Sequence, residues 1–160
     1  MKTIWLNSVT EITPELLEKN GITALILDLD NTLTTHDNPV PGEGVLEWIE
    51  GMKSADIQMI IVSNNHAERV KPFAKILGLD FVPDGKKPLS KGINEAGRRL
   101  GAPFSETAIV GDQIFTDILA AKLKRLRSIY VKPIEHETTT FFKFKRKMER
   151  FFIPKEFRDN

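Results

Sequence analysis

An apolar run over residues 22–27 leads directly into Asp28, Leu29, Asp30, Asn31 and Thr32, and nothing else in the chain limits its possible folds so strongly. The run reads as a buried strand. Two carboxylates one residue apart at the end of such a strand lie close together at a sheet edge. Buried like charges at that separation repel, and they need a cation or a shared proton between them. The pair therefore points to a metal-dependent site in which one aspartate is a nucleophile and the other handles protons.

The remaining pattern supplies a scaffold for that edge. Thr13, Pro14 and Glu15 have the order of a helix start, namely a cap, a first-turn proline and an acidic first turn. Val45, Trp48, Ile49 and Met52 recur at helical spacing, as do Val70, Phe73, Ala74 and Leu77 before Gly78. Ser90 is placed to cap a helix bearing Ile93, Ala96 and Leu100, which Gly101 ends. Another helix is predicted over 114–123, and a last one from Thr140. Between these lie further strand-like runs at 57–62, 81–82, 107–110 and 127–131. Strands alternating with helices imply an α/β fold, a central parallel sheet with helices on both faces. Ligands of such folds bind beyond the carboxyl ends of the strands.

The polar residues fall at those ends. The first strand ends in Asp28 and Asp30, the second in Ser63, Asn64 and Asn65, and the short third leads into Gly85, Lys86 and Lys87. The fourth ends in Gly111 and Asp112, with Asp117 five residues on. Metal-binding carboxylates, a hydroxyl donor and a cation for phosphate oxygens are what phosphoryl transfer requires. His36 and His66 receive no role, because two carboxylates already cover proton transfer, and His136 lies away from the strand ends.

Asp28-Leu-Asp30-Asn31-Thr32, Ser63, Lys87 and Gly111-Asp112 with Asp117 match, in order, the four motifs of the haloacid-dehalogenase-like phosphatase superfamily. The match runs over about residues 22–131. The Gly-Asp-Gln-x-x-Thr-Asp form at 111–117, with Asn31-Thr32-Leu33, resembles the YqeG-like branch of capless subfamily IIIA, which is similar to phosphatidylglycerophosphate phosphatases. The resemblance implies a three-layer Rossmann-like fold. It also implies an aspartyl-phosphate route, with Asp28 attacking phosphorus and Asp30 protonating the leaving oxygen and then activating water. Mg²⁺ is implied, held by the Asp28 carboxylate, the Asp30 backbone carbonyl and the Asp112 carboxylate. Asp117 would stand behind these ligands, orienting Lys87 or water on the metal. Ser63 and the Asn64 amide would donate to phosphoryl oxygens. Lys86 and Lys87 both offer an ammonium, and Pro88 after Lys87 matches the family.

Between Thr32 and Ser63 there is room for a loop, a helix and a strand, and between Ser63 and Lys87 for one helix and a short strand. Neither gap holds a cap domain, so an open site and a large substrate are expected. The whole chain, 1–160, reads as a single hydrolase domain with a basic amphipathic C-terminal segment, 140–158.

The net charge of +1 hides an asymmetry, since residues 1–117 carry −6 and residues 118–160 carry +7. Phe141, Phe144, Met148 and Phe151 lie on one helical stripe, with Lys143, Lys145, Arg146, Lys147 and Arg150 mainly elsewhere. That pattern fits an anionic membrane surface, and it also fits a helix docked on its own sheet through its apolar stripe. Basic residues with phenylalanines suit RNA as well, although no RNA-binding motif accompanies them. The chain has no cysteine and no long apolar stretch, so a cytoplasmic location, peripheral to a membrane, is expected. The leading expectation is a Mg²⁺-dependent phosphomonoesterase acting on a lipid phosphate such as phosphatidylglycerophosphate. The alternatives are a phosphatase of protein, nucleotide or sugar phosphates, and a non-catalytic RNA- or membrane-binding module.

Overall fold

The computed structural model describes residues 2–135 and 139–158; His136 therefore lies outside the described residues. Six strands form one parallel sheet: β1 (Ile4–Leu6), β2 (Ala24–Leu27), β3 (Gln58–Val62), β4 (Asp80–Val82), β5 (Thr107–Gly111) and β6 (Arg127–Val131), in the order β1-β6-β5-β2-β3-β4. β2 occupies the middle, with Leu27 in register with Ile61 of β3 on one side and with Val110 of β5 on the other. All four of its residues are buried, as a central parallel strand requires.

Helices α1 (Pro14–Lys19), α2 (Val45–Ser54), α3 (Ala67–Leu77), α4 (Ser90–Leu100), α5 (Leu119–Leu123) and α6 (Thr140–Glu149) complete the chain. Leu25, Leu27 and Ile61 belong to one apolar layer with Trp48, Ile49 and Phe73. Ile26, Ile60 and Val62 belong to the opposite layer with Ile93, Ala96 and Ala120. Burying one such side chain stabilises the fold by about 1.5–3 kcal/mol. The indole Nε1 of Trp48 donates to the Ile12 carbonyl at 2.8 Å, so its polar edge is satisfied inside the layer.

Three local readings of the sequence need correction. β1 was not foreseen, because three residues carry too little periodicity to register; it forms by pairing with β6 at the sheet edge. Ser90 does not cap α4: it is the first helical residue, and Leu89 takes the cap position without a side-chain bond. The helix predicted over 114–123 opens with a wider π-helical turn, Ile114–Ile118, before α5 begins. Its Asp117 and Ile118 amides both donate to the Gln113 carbonyl, at 3.0 and 3.2 Å.

After α6 the chain returns to the β1–β6 edge. Ile153 is buried with Tyr130, and Phe157 packs against Trp5 with ring centroids 6.2 Å apart. Between β2 and β3 stand only a loop and α2, and between β3 and β4 only α3. Among the described residues no helix is long and apolar enough to cross a membrane.

Candidate active site

The strand order explains why residues distant in sequence meet. β5, β2, β3 and β4 are adjacent, so the residues following them share one rim of the sheet. Asp28 follows β2, its amide donating to the Val110 carbonyl at 2.9 Å, which extends the ladder by one rung. Lys87 follows β4 and crosses to Asp28, its Nζ donating to Asp28 Oδ1 at 2.6 Å and to Asp117 Oδ1 at 2.7 Å. All three groups are buried, whereas Lys86 is exposed.

Two glycine pairings set this geometry. A methyl group on Gly92 of α4 would stand 2.7 Å from the Gly85 carbonyl oxygen, so the helix can approach the lysine loop only without a side chain there. A methyl group on Gly111 would collide with the Asp117 carboxylate, and its absence lets Asp117 fold back toward Lys87. The π turn contributes as well, widening the backbone where Asp117 leaves it. The Asp117 Oδ2 accepts from the Gln113 amide and from Thr116 Oγ1, both at 3.3 Å.

Asp28, Asp112 and Asp117 bring one carboxylate oxygen each within 4.8 Å of one another. Burial pushes Asp112 up to about 8, against the pull of Arg146. Burial likewise pushes Asp28 up to about 6, although Lys87 draws it down, so Asp28 stays mainly ionised at neutral pH. Burial alone would lower the Lys87 ammonium; the Asp117 and Asp28 carboxylates outweigh it and hold the group above its ordinary range. The Asp112 Oδ1 is buried and has no hydrogen-bond partner among the described residues. A buried carboxyl oxygen left open beside two other carboxylates, in a group that ionises readily only with a cation beside it, suits a hard divalent ion.

Asp30 is held on three sides. Arg69 donates to its Oδ1 at 2.8 Å, the Asp37 amide donates to the same oxygen at 3.1 Å, and the Asn65 amide group donates to Oδ2. Ser63 is buried; its Oγ accepts from the Asn65 amide at 3.1 Å, which leaves its own proton for another acceptor. Asn64, expected to offer a backbone amide to phosphate, bonds through its side chain to both the amide and the carbonyl of Lys87, at 2.7 and 3.1 Å. It fixes the lysine loop. His66 pairs with Asp84 at 2.6 Å, and both are exposed.

Sequence reading placed Asn65 on the rim without a role, and it missed Arg69 and the contacts of α6 with the site. Arg146 donates to the Asp112 carbonyl oxygen at 2.6 Å and pairs with the Asp112 carboxylate; it also meets Glu149 at 3.2 Å. Glu149 is fully buried and accepts from the Phe115 amide at 3.0 Å. Lys145 donates to the Gln113 side chain. Phe142 and Lys145 thus join Asp28, Ser63 and Lys87 in lining a cleft of about 170 Å³. That space admits a phosphoryl group and little more, and is well below the 300 Å³ or so of an ordinary small-molecule pocket.

A family model described as haloacid dehalogenase-like hydrolase matches residues 14–123. The chain is 35% identical over 146 residues to a Bacillus subtilis protein named probable phosphatase YqeG, covering 91% of this chain and 85% of that one. Among solved structures, a 4-nitrophenylphosphatase from Thermotoga maritima superposes with a TM-score of 0.61 at 14% identity, covering 82% of this chain and 91% of that one. An uncharacterized protein from Listeria monocytogenes superposes with a TM-score of 0.59 at 20% identity, over 74% of this chain and 85% of the other. At those identities the structural matches establish the shared fold.

Proposed function

The chain belongs to the haloacid dehalogenase-like hydrolase family, and from that premise we propose that it hydrolyses phosphomonoesters through an aspartyl-phosphate, with a lipid phosphate as substrate. One observation carries the reading: Asp28 stands at the centre of the rim with the Lys87 ammonium on one oxygen and an open cleft beside it. The 1–160 chain acts as one catalytic unit in this reading, the 140–158 segment included.

The Lys87 ammonium and the Ser63 hydroxyl would hold the phosphoryl oxygens. The Asp28 Oδ2 would attack phosphorus as the ester oxygen leaves and takes a proton from Asp30. Asp30 would then remove a proton from the water that attacks the aspartyl-phosphate, freeing phosphate and restoring Asp28. Asp28, Asp112 and the Asp30 carbonyl would hold Mg²⁺, which when bound offsets the negative charge crowded at phosphorus. Asp117 would act through Lys87. The small cleft favours a substrate whose bulk stays outside, and a headgroup phosphate on a lipid meets that condition.

The direct test is release of inorganic phosphate from 4-nitrophenyl phosphate and from a short-chain phosphatidylglycerophosphate, with Mg²⁺ and after EDTA. Nucleotide and sugar phosphates serve as competitors. Mg²⁺-dependent turnover with preference for the lipid is expected; turnover that EDTA leaves intact would remove the metal from the scheme.

Two further outcomes are expected. Arg69 is a positioning residue for Asp30, so Arg69→Gln should lower kcat about tenfold with little change in KM. That is less than the roughly 10²–10⁴-fold expected for removing the acid–base group itself. A change confined to KM would sink the assignment. The second outcome concerns pH. Asp28 and Asp112 titrate higher in the folded chain than the ordinary carboxylate, near 6 and 8. Without metal the folded state therefore keeps protons that the unfolded state releases, and its stability falls as pH rises from about 5 to 8. Mg²⁺ competes with those protons, so adding it should raise Tm by more near pH 7 than near pH 5 in thermal scans. An Mg²⁺ shift that is flat across this range would contradict a metal held by the Asp28 and Asp112 carboxylates.

A further inference from the structure

Helix α6 presents its polar face to the protein and its apolar face to solvent. Phe141, Phe144, Met148, Phe151 and Phe152 are 72, 64, 43, 76 and 61% exposed. On the inner side Glu149 is buried, Arg146 reaches Asp112, and Lys145 reaches Gln113. A helix that serves only to cover its own sheet does the opposite. The stripe, which the sequence left open to a membrane surface or to the helix's own sheet, is therefore unused by the core, and the polar contacts of Arg146 and Glu149 hold the helix in that orientation.

Lys143, Lys147 and Arg150 are exposed among the aromatic residues, and Lys155 follows them; Glu156 is the one exposed acid among described residues 139–158. We propose that this aromatic and basic ridge docks on the surface of an anionic lipid bilayer. The rings would enter the boundary between headgroups and acyl chains while the lysines and the arginine meet anionic headgroups. Charge selects this occupant: a second copy would bring the same basic ridge and repel it. Single-stranded nucleic acid is held in grooves that track its backbone, whereas this ridge is a convex helix face.

The inference deepens the lipid-phosphate reading by joining the surface to the site. The same helix carries Phe142 and Lys145 into the cleft, so bilayer and cleft are separated by about one helix diameter, roughly 10–12 Å. A headgroup phosphate could pass the edge of α6 while its acyl chains remain in the membrane.

The test is co-sedimentation of the full chain with vesicles of phosphatidylcholine alone or with about one third phosphatidylglycerol. Binding to the anionic vesicles, weakened by salt, is expected. Phe144→Ser combined with Phe151→Ser should reduce partitioning by roughly tenfold or more, leaving 4-nitrophenyl phosphate hydrolysis unchanged. Neither ring packs against another aromatic ring among the described residues, and both are exposed, so the variant should fold. Lys143→Glu with Lys147→Glu should give a comparable loss. The proposal is overturned if the wild-type chain ignores anionic vesicles, binds neutral ones equally, or is unaffected by these substitutions; binding of single-stranded RNA through the ridge without vesicle partitioning overturns it in favour of nucleic acid. Vesicle binding without any hydrolysis would keep the ridge and remove the phosphatase reading, and hydrolysis without vesicle binding would do the reverse.

Discussion

Replacing Asp28 by Asn is expected to reduce phosphate release by roughly 10⁴-fold or more, the scale seen when the attacking group of a covalent mechanism is removed. Asn has nearly the same shape, and Asp28 is only 8% exposed, so the packing of the rim should persist. Lys87 keeps Asp117 at 2.7 Å and therefore remains paired in the variant. What disappears is the anionic oxygen that would form the bond to phosphorus. Because burial already pushes Asp28 up to about 6, removing its charge should cost the fold little, and Tm should move by only a few degrees. The measurement is steady-state and single-turnover hydrolysis of 4-nitrophenyl phosphate at saturating Mg²⁺, alongside a thermal scan. Residual activity within tenfold of wild type, in a folded variant, would end the covalent scheme.

Lys87→Met should affect both activity and folding. The substitution preserves most of the side-chain length and removes the ammonium that sits between Asp28 and Asp117. Two buried carboxylates then lose their cation, and breaking a buried pair from one side typically costs about 3–5 kcal/mol. For a chain of this size that corresponds to a fall in Tm of roughly 10 °C. Activity should drop by about 10² or more, because the positive charge proposed to face the phosphoryl group is lost. The stability deficit has a definite pH sign. Without Lys87, burial acts on Asp28 unopposed by its main counter-charge, so the folded state favours the protonated acid up to a higher pH, and the deficit should shrink as pH falls toward about 6. Equal melting of variant and wild type at pH 8 would show that the lysine is not the counter-charge of this cluster.

Much of this arrangement could be read from the chain before its structure. A strand buried on both faces has an unmistakable apolar run, and the residue type that follows each strand is visible in order. Parallel topology then requires Asp28, Ser63, Lys87 and Asp112 to lie on one rim. Contacts made from elsewhere were not legible. Arg69 is a charged residue in the first turns of α3, and such residues are common on helix surfaces; only the fold shows it facing Asp30. The pattern of α6 revealed a stripe of phenylalanines but not which side of the helix meets the protein. Periodicity reports that two faces differ, and here the partners Asp112 and the Phe115 amide, supplied by distant loops, decide in favour of the polar one. The expectation of a bare, capless rim was thus incomplete: no domain is inserted between the motifs, yet the end of the chain closes one side of the cleft.

The place of β2 between β3 and β5 also bears on the order in which the chain is made. The ribosome releases Asp28 early, but the strand that borders it on the far side ends at Gly111, and the lysine that neutralises it lies at position 87. A nascent chain therefore presents Asp28 long before its neighbouring strand and its counter-charge exist, so the buried cluster of Asp28, Lys87 and Asp117 assembles only after residue 117 has emerged.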